Sequence, residues 1–260
     1  MANKIKFQIN PDKMSDFISK LDDLSKIEDT IKLKIDGDNI LMYSILGGNV
    51  MLAFKNYLLK TSDYFKGDDF EFTLDAIIAN SKKFVKNLNF LTESPKVTIE
   101  FTYKESQDDD SIMNARSIQV VGGKLKVNWI CGEHYEMKDL SKSQLDQGLN
   151  VKNSRWSFTI PKNDFLDIKK LSSINSDKIL NIVVSSGKVV ISETAAWEMD
   201  IDQISDDRNS SLMLNKKFLS CINDVNDVKF NIFDNFMLVK HENSNLMLSF
   251  EQDFSSEDED

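Results

Sequence analysis

Cys131 and His134 stand as C-x-x-H in the stretch ICGEHYE, where two metal-binding side chains lie within a turn of each other. A structural metal site usually needs four well-spaced ligands. The chain has only Cys221 and His241 besides these two, and the spacing matches no common zinc pattern, so no metal is expected. Asp108, Asp109 and Asp110 offer hard oxygen ligands, but the glycine and distal glutamate of a calcium loop are missing, and a solvated acidic loop is expected. There is no G-x-S-x-G, no Walker loop and no G-x-G-x-x-G, and neither histidine has a nucleophile near it in sequence. No catalytic residue and no cofactor is assigned, and an enzyme with dispersed catalytic residues ranks behind binding roles.

The remaining chemistry is positive charge. Lysine supplies nearly all of it, since Arg116, Arg155 and Arg208 are the only arginines. The net charge of −10 would ordinarily argue against a nucleic-acid partner. Yet lysines gather locally, at Lys82, Lys83 and Lys86, at Lys162, Lys169 and Lys170, and at Lys216 and Lys217.

The elements that carry them follow from hydrophobic period. Ile31, Leu33 and Ile35 alternate with Lys32 and Lys34, and Val97, Ile99, Phe101 and Tyr103 with Thr98, Glu100 and Thr102. Leu125, Val127 and Trp129 alternate with Lys124, Lys126 and Asn128, and Val228, Phe230 and Ile232 repeat the pattern. Such period-two runs mark strands with one buried face. Asp36-Gly37, Gly122-Gly123, Ser186-Gly187 and Asp234-Asn235 fit hairpin turns between them, so antiparallel sheet is expected to dominate. Trp129, Trp156 and Trp197 fall on these strands as core or interface residues.

Helical period is expected at four places. Met14, Phe17, Ile18, Leu21 and Leu24 make the first stripe, and Ile77, Phe84, Val85 and Leu88 the second. Phe165, Ile168 and Leu171 make the third, and Phe218, Cys221, Ile222 and Val225 the fourth. Each follows a strand, as in FTIPKNDFLDIKKLSSI from Phe158, and Pro11 and Pro161 stand where a helix begins. The chain parses into four strand–helix–strand units, near 4–62, 69–137, 155–205 and 210–252. Residues 138–154 break both periods and read as a connector, and SSEDED from Ser255 reads as a short disordered acidic tail.

Helices two, three and four are net positive in a chain that is strongly negative overall. At 100° per residue, Lys82, Lys83 and Lys86 lie opposite their apolar stripe, and Lys169, Lys170 and Lys216 also point away from theirs. Two readings stay open: a footprint for a phosphate backbone, or the ordinary charged outer face of helices built from a good helix former. Helix one counts for the second, because Asp12, Asp16 and Asp23 share its outer face.

Four such units, paired by a polar connector, resemble a DNA sliding clamp of the two-domain, homotrimeric type, in particular those of large tailed bacteriophages. DKILNIVVSSGKVVISE (Asp177 to Glu193) and NSNLMLSFEQDF (Asn243 to Phe254) carry the likeness most strongly, and NARSIQVVGG from Asn114 more weakly. The resemblance implies an α+β DNA-clamp fold of two similar domains, with antiparallel sheets outside and four helices lining the inner face. The domains would be 1–137 and 155–254, joined by the connector 138–154 and followed by the tail 255–260.

The resemblance further implies a non-enzymatic processivity factor that encircles double-stranded DNA without sequence preference and tethers a replicative DNA polymerase. The DNA-facing residues would be Lys20, Lys82, Lys83, Lys86, Lys169, Lys170, Lys216 and Lys217. A partner-peptide groove would be lined by Leu149, Val151 and Phe250, and a clamp loader and two further copies of the chain would be partners. No apolar run is long enough for a membrane span and MANKIKF lacks a signal peptide's pattern, so a cytoplasmic location, or a host's cytoplasm for a viral protein, is expected. The alternative is an acidic viral structural or assembly protein with a repeated α+β fold.

Overall fold

Asn80 takes the left-handed conformation, φ 52°, a strain that asparagine tolerates better than most residues. It divides strand β6 (Thr73–Ala79) from helix α3 (Ser81–Leu88). Ile77 therefore belongs to a strand, not to the start of the second helix as its spacing predicts. Leu74 to Ile78 are all buried, so period two leaves no trace in the sequence there.

The computed structural model describes residues 3–47, 52–66, 72–105, 112–133, 137, 140, 146, 149–150, 152, 154–174, 179–185, 187–192, 196–200, 210–222, 226–241 and 243–250. The predicted tail, Asp108 to Asp110, His134, Val151, Val225 and Phe254 lie outside them. The chain divides into two compact units, Met1–Ile45 with Lys55–Ser141, and Leu46–Phe54 with Lys142–Asp260.

In the first unit, β1 (Asn3–Ile9) leads through a 3-10 turn at Pro11 into α1 (Met14–Ser25). Then come β2 (Thr30–Ile35), β3 (Asn39–Leu46), β4 (Ala53–Lys60), the single turn α2 (Thr61–Tyr64) and β5 (Phe65–Lys66). After β6 and α3 follow β7 (Val97–Glu105), β8 (Ile112–Gly122) and β9 (Leu125–Ile130). The sheet runs β4-β3-β2-β6-β8-β7-β1-β5, with β9 laid on β8. All pairings with printed register are antiparallel except a short parallel contact of β6 with β8. Met14, Phe17, Ile18, Leu21 and Leu24 of α1 and Phe84, Val85 and Leu88 of α3 pack onto this sheet as one core.

The predicted alternation of β2 fails at Lys32. Its side chain is 2% exposed and pairs at 2.9 Å with Asp75 of β6. Asp75 is thus engaged on a strand, and α3 itself carries three lysines and no acid.

In the second unit, β10 (Trp156–Ile160) leads into α4 (Lys162–Ile174), β11 (Ile179–Ser185), β12 (Lys188–Ser192) and β13 (Ala196–Asp200). β14 (Ser210–Asn215), β15 (Val228–Ile232), β16 (Phe236–Lys240) and β17 (Ser244–Ser249) complete it. Two antiparallel sheets result, β10-β15-β16-β17 and β13-β12-β11-β14. Residues 46–54 join this unit: Leu52 donates its N–H to Ser249 Oγ and accepts from the Ser249 N–H at 2.8 Å.

The predicted fourth helix is a 3-10 segment, Lys216–Cys221, opened by Asn215, whose side chain accepts from the Lys217 N–H. Phe218 and Cys221, three apart, share one row of a three-residue period, so the same apolar spacing is satisfied by the tighter coil.

Candidate nucleic-acid interface

The charged face of α3 is built from its N-terminus. Asp29, in the turn before β2, accepts the Lys82 N–H at 2.9 Å and the Ser81 hydroxyl at 3.2 Å. That carboxylate satisfies one orphan N–H of the first turn and complements the helix dipole, while the Asp29 backbone carbonyl accepts the Ser81 N–H at 3.2 Å. Burial of Ser81, Phe84, Val85 and Leu88 then leaves Lys82, Lys83 and Lys86 exposed on the opposite side. Trp129 holds β9 to the same helix, with its ring 5.3 Å from Phe84 and its indole N–H donating to the Ala79 carbonyl at 3.0 Å.

Lys20 on α1 is differently placed. It pairs with Asp16, is 15% exposed, and lies 5.6 and 5.9 Å from the rings of Tyr57 and Tyr64. Tyr64 donates to Asp16, while Tyr57 and Lys55 both bind Asp23. Burial opposes ionisation of Asp16, but the hydrogen bonds from Lys20 and Tyr64 and the charges of Lys20 and Lys13 outweigh it, holding the carboxyl below its usual range. Burial and then Asp16 push the Tyr64 hydroxyl well above the usual phenol range. The outer face of α1 is therefore a closed acid–base network, consistent with its acidic sequence.

In the second unit an equivalent cap appears: Asp227, just before β15, accepts the Lys162 N–H at 3.0 Å at the start of α4. Lys169 of α4 donates to the Ile222 carbonyl at 3.0 Å, and Lys216 donates to the Ser172 carbonyl at 2.8 Å. Lys170 is open but paired with Asp167 at 2.8 Å. Lys217 is exposed, with its Nζ 4.8 Å from the Phe218 ring. Of the eight lysines singled out in sequence, Lys82, Lys83 and Lys86 form an open, acid-free cluster on one helix.

Leu149 and Phe250, the candidate groove residues, are each 5% exposed in the second unit, and Phe250 donates its N–H to the Asn235 carbonyl at 3.0 Å. Cys131 is a free thiol that burial, offset in part by Arg116, pushes up to about 12. Among the described residues no group of three or more His, Cys, Asp or Glu could hold a metal ion. Sequence reasoning missed Phe90 and Ile174, exposed at 73% and 77%. Each stands four residues past an exposed lysine, Lys86 and Lys170, a spacing readable only once the helix ends are known.

No protein-family profile matches the chain, and no curated protein matches it by sequence. Solved structures do. Proliferating cellular nuclear antigen from Entamoeba histolytica superposes with a TM-score of 0.60 at 15% identity, over 98% of this chain and 100% of that one. The DNA polymerase sliding clamp from Bacillus subtilis matches at 0.64 and 14%, over 98% of this chain and 66% of that one. A putative DNA polymerase III β subunit from Eubacterium rectale matches at 0.64 and 11%, over 97% and 66%.

This is the sliding-clamp fold. The chain matches the nuclear antigen from end to end and spans 66% of the bacterial clamp chains. Within the clamp fold, the repeated device is an aspartate just before a strand, Asp29 or Asp227, that caps the helix of the neighbouring strand–helix unit.

Proposed function

We propose that this chain is a sliding clamp: a non-enzymatic ring of three copies that encircles duplex DNA and tethers a replicative DNA polymerase, as the resemblance to phage clamps implies. The observation that carries this reading is the agreement of fold along the whole chain with a nuclear antigen of the same extent. α3 would face the DNA through Lys82, Lys83 and Lys86. Weak, sequence-independent attraction between lysine and phosphate permits sliding, while closure of the ring supplies retention. Lys170 and Lys217 would add to this lining, and Lys20, Lys169 and Lys216 would mainly hold the lining elements in place. The partner-peptide groove would lie near Leu149, Val151 and Phe250, and a clamp loader would open the ring. The site of action would be the cytoplasm in which DNA is replicated, and no helix among the described residues is long and apolar enough to cross a membrane.

The test is topological. Protein loaded on nicked circular DNA should survive a high-salt wash and be released when the circle is cut once. Release from the intact circle at the same rate as from linear DNA would sink the reading.

A further inference from the structure

Leu88 and Leu91 are buried, and between them the 3-10 turn Asn89–Leu91 continues α3 past its end. Several contacts fix this turn. The Thr92 hydroxyl donates to the Asn89 carbonyl at 2.9 Å, and the Ser94 N–H donates to the Leu91 carbonyl at 3.0 Å. Gly122, at the end of β8, comes so close that a Cβ there would stand 2.7 Å from Ser94 Oγ and 3.2 Å from Leu91 Cδ2, so glycine lets the strand pack on the turn. Phe90 is carried outward on this held turn, 73% exposed.

A single exposed apolar residue is ordinary on a protein surface. Phe90 differs in its surroundings. Among the described residues it is the one exposed aromatic side chain, and the other described Phe, Tyr and Trp rings are buried or half-buried. Helical spacing puts Lys83, Lys86 and Phe90 (i, i+3, i+7) along one exposed row about 10 Å long. That row lies on the helix with three lysines and no acid, and Glu93 beyond it is followed by Lys96. Ile174 stands equally far past Lys170 on α4, but Lys170 is paired with Asp167, and an aliphatic side chain has no ring face to offer.

The row has a definite complement. Ammonium groups at its start fit the phosphates of a nucleic-acid strand, and a flat apolar ring at its end fits the face of a base. A duplex cannot supply both, because its base faces are stacked on one another and its outside is phosphate, sugar and base edges. An unpaired base has a free face. Positive charge tracking the backbone, with an aromatic ring under the bases, is the chemistry that holds single strands without regard to sequence.

We propose that Phe90 is a stacking platform for an unpaired base of single-stranded DNA whose phosphates are held by Lys83 and Lys86. The site rests on the reading of α3 as a DNA-facing helix and refines it. Duplex runs along the lysines, and a strand that leaves the duplex at a junction ends its contact on Phe90. Selection is for structure rather than sequence, since every base has a π face. Salt weakens the lysine part and spares the stack.

The test uses the full chain and two fluorescent single strands, oligo-dT and a strand of equal length with an abasic sugar in place of every nucleoside. Both carry the same phosphates, so the ratio of their dissociation constants isolates the bases. Fluorescence anisotropy at moderate salt should show tighter binding of oligo-dT, and Phe90→Ala should shrink the ratio about tenfold. Phe90→Trp should keep it, and the added indole fluorescence should be quenched by oligo-dT but not by the abasic strand. Lys83→Gln with Lys86→Gln should weaken both strands together and reduce the slope of log affinity against log salt. Phe90→Leu keeps an apolar side chain without a ring, and a ratio as large as the parent's in that variant would overturn stacking. So would a parent that does not distinguish the two strands, or a Phe90→Ala ratio equal to the parent's. A changed assembly mass in Phe90→Ala would mark Phe90 as a contact with another protein chain and overturn the proposal as well. Retention of the parent on nicked circles is scored beside these. A retained parent that does not distinguish the strands removes the platform and leaves the ring reading standing. A ratio that Phe90→Ala abolishes, in a parent that is not retained, removes the ring and leaves the platform.

Discussion

Lys169 and Ile222 are joined by a hydrogen bond of 3.0 Å from the ammonium to the backbone carbonyl, and Lys216 returns the contact at 2.8 Å to Ser172. Each lysine lies on one helical segment and binds a carbonyl at the C-terminal end of the other, where orphan acceptors and the negative end of the dipole meet. The pair clasps α4 to the 3-10 segment of the same unit. Lys169→Met and Lys216→Met keep the apolar stems and remove the donors. Each should cost about 1 kcal/mol in urea unfolding, since both side chains are only half-buried. Unchanged unfolding midpoints in both variants would show that the clasp contributes nothing to stability.

Asp29→Ala should cost about 1 kcal/mol through loss of the cap on α3, and Asp227→Ala a similar amount at α4. Asn should restore most of either loss, because its side-chain oxygen accepts the same N–H. Thermal unfolding followed by circular dichroism measures both. An Asn variant no better than the Ala one would tie the loss to charge rather than to the hydrogen bond.

How much was legible in sequence depended on exposure. β7 and β9 alternate against solvent or half-buried faces, and α1 shows its stripe through five residues, so all three elements can be read from period alone. β6 cannot, because both of its faces are covered, and Ile77 then looks like the first turn of the helix that follows. The lysine clusters were visible, but not which were already engaged: Lys169 and Lys216 bind carbonyls distant in sequence, and sequence spacing carries no information about such partners.

Asp16 and Tyr64 set a pH signature at both ends of the scale. Asp16 titrates lower in the folded chain than in the unfolded one, so its contribution is present at neutral pH and is lost as pH falls below about 4. Tyr64 titrates higher when folded, so its contribution is intact at neutral pH and is lost as pH rises above about 10, where only the unfolded chain ionises. Asp16→Asn should flatten the acid limb of the stability curve, and Tyr64→Phe the alkaline limb. Stability measured by urea at a series of pH values checks this, and limbs unchanged in both variants would rule the pair out as their source.

Phe250→Ala and Leu149→Ala should each lower polymerase stimulation. Both side chains are 5% exposed, so each truncation should also cost about 3 kcal/mol of stability. Stimulation is therefore measured well below the unfolding transition, beside a control of equal cost, Leu246→Ala in β17, whose side chain is 0% exposed. If all three variants lose stimulation equally, stability explains the loss and the groove lies elsewhere.

Reversal of Lys82, Lys83 and Lys86 to Glu should leave folding nearly intact, because all three side chains are exposed and α3 is held by Phe84, Val85, Leu88 and the Asp29 cap. Each lysine–phosphate attraction across solvent is worth a fraction of a kcal/mol, roughly, so single changes should do little. In the proposed ring, three reversals per copy add up and turn attraction into repulsion. Loading onto circular DNA should slow, most at low salt, where the repulsion is least screened. The same reversal at Lys169 and Lys216 should instead destabilise the second unit, since those ammonium groups are already engaged with carbonyls. A triple α3 variant that loads at the parent's rate at low salt would mean that this face does not meet DNA, and that its lysines reflect helix propensity alone.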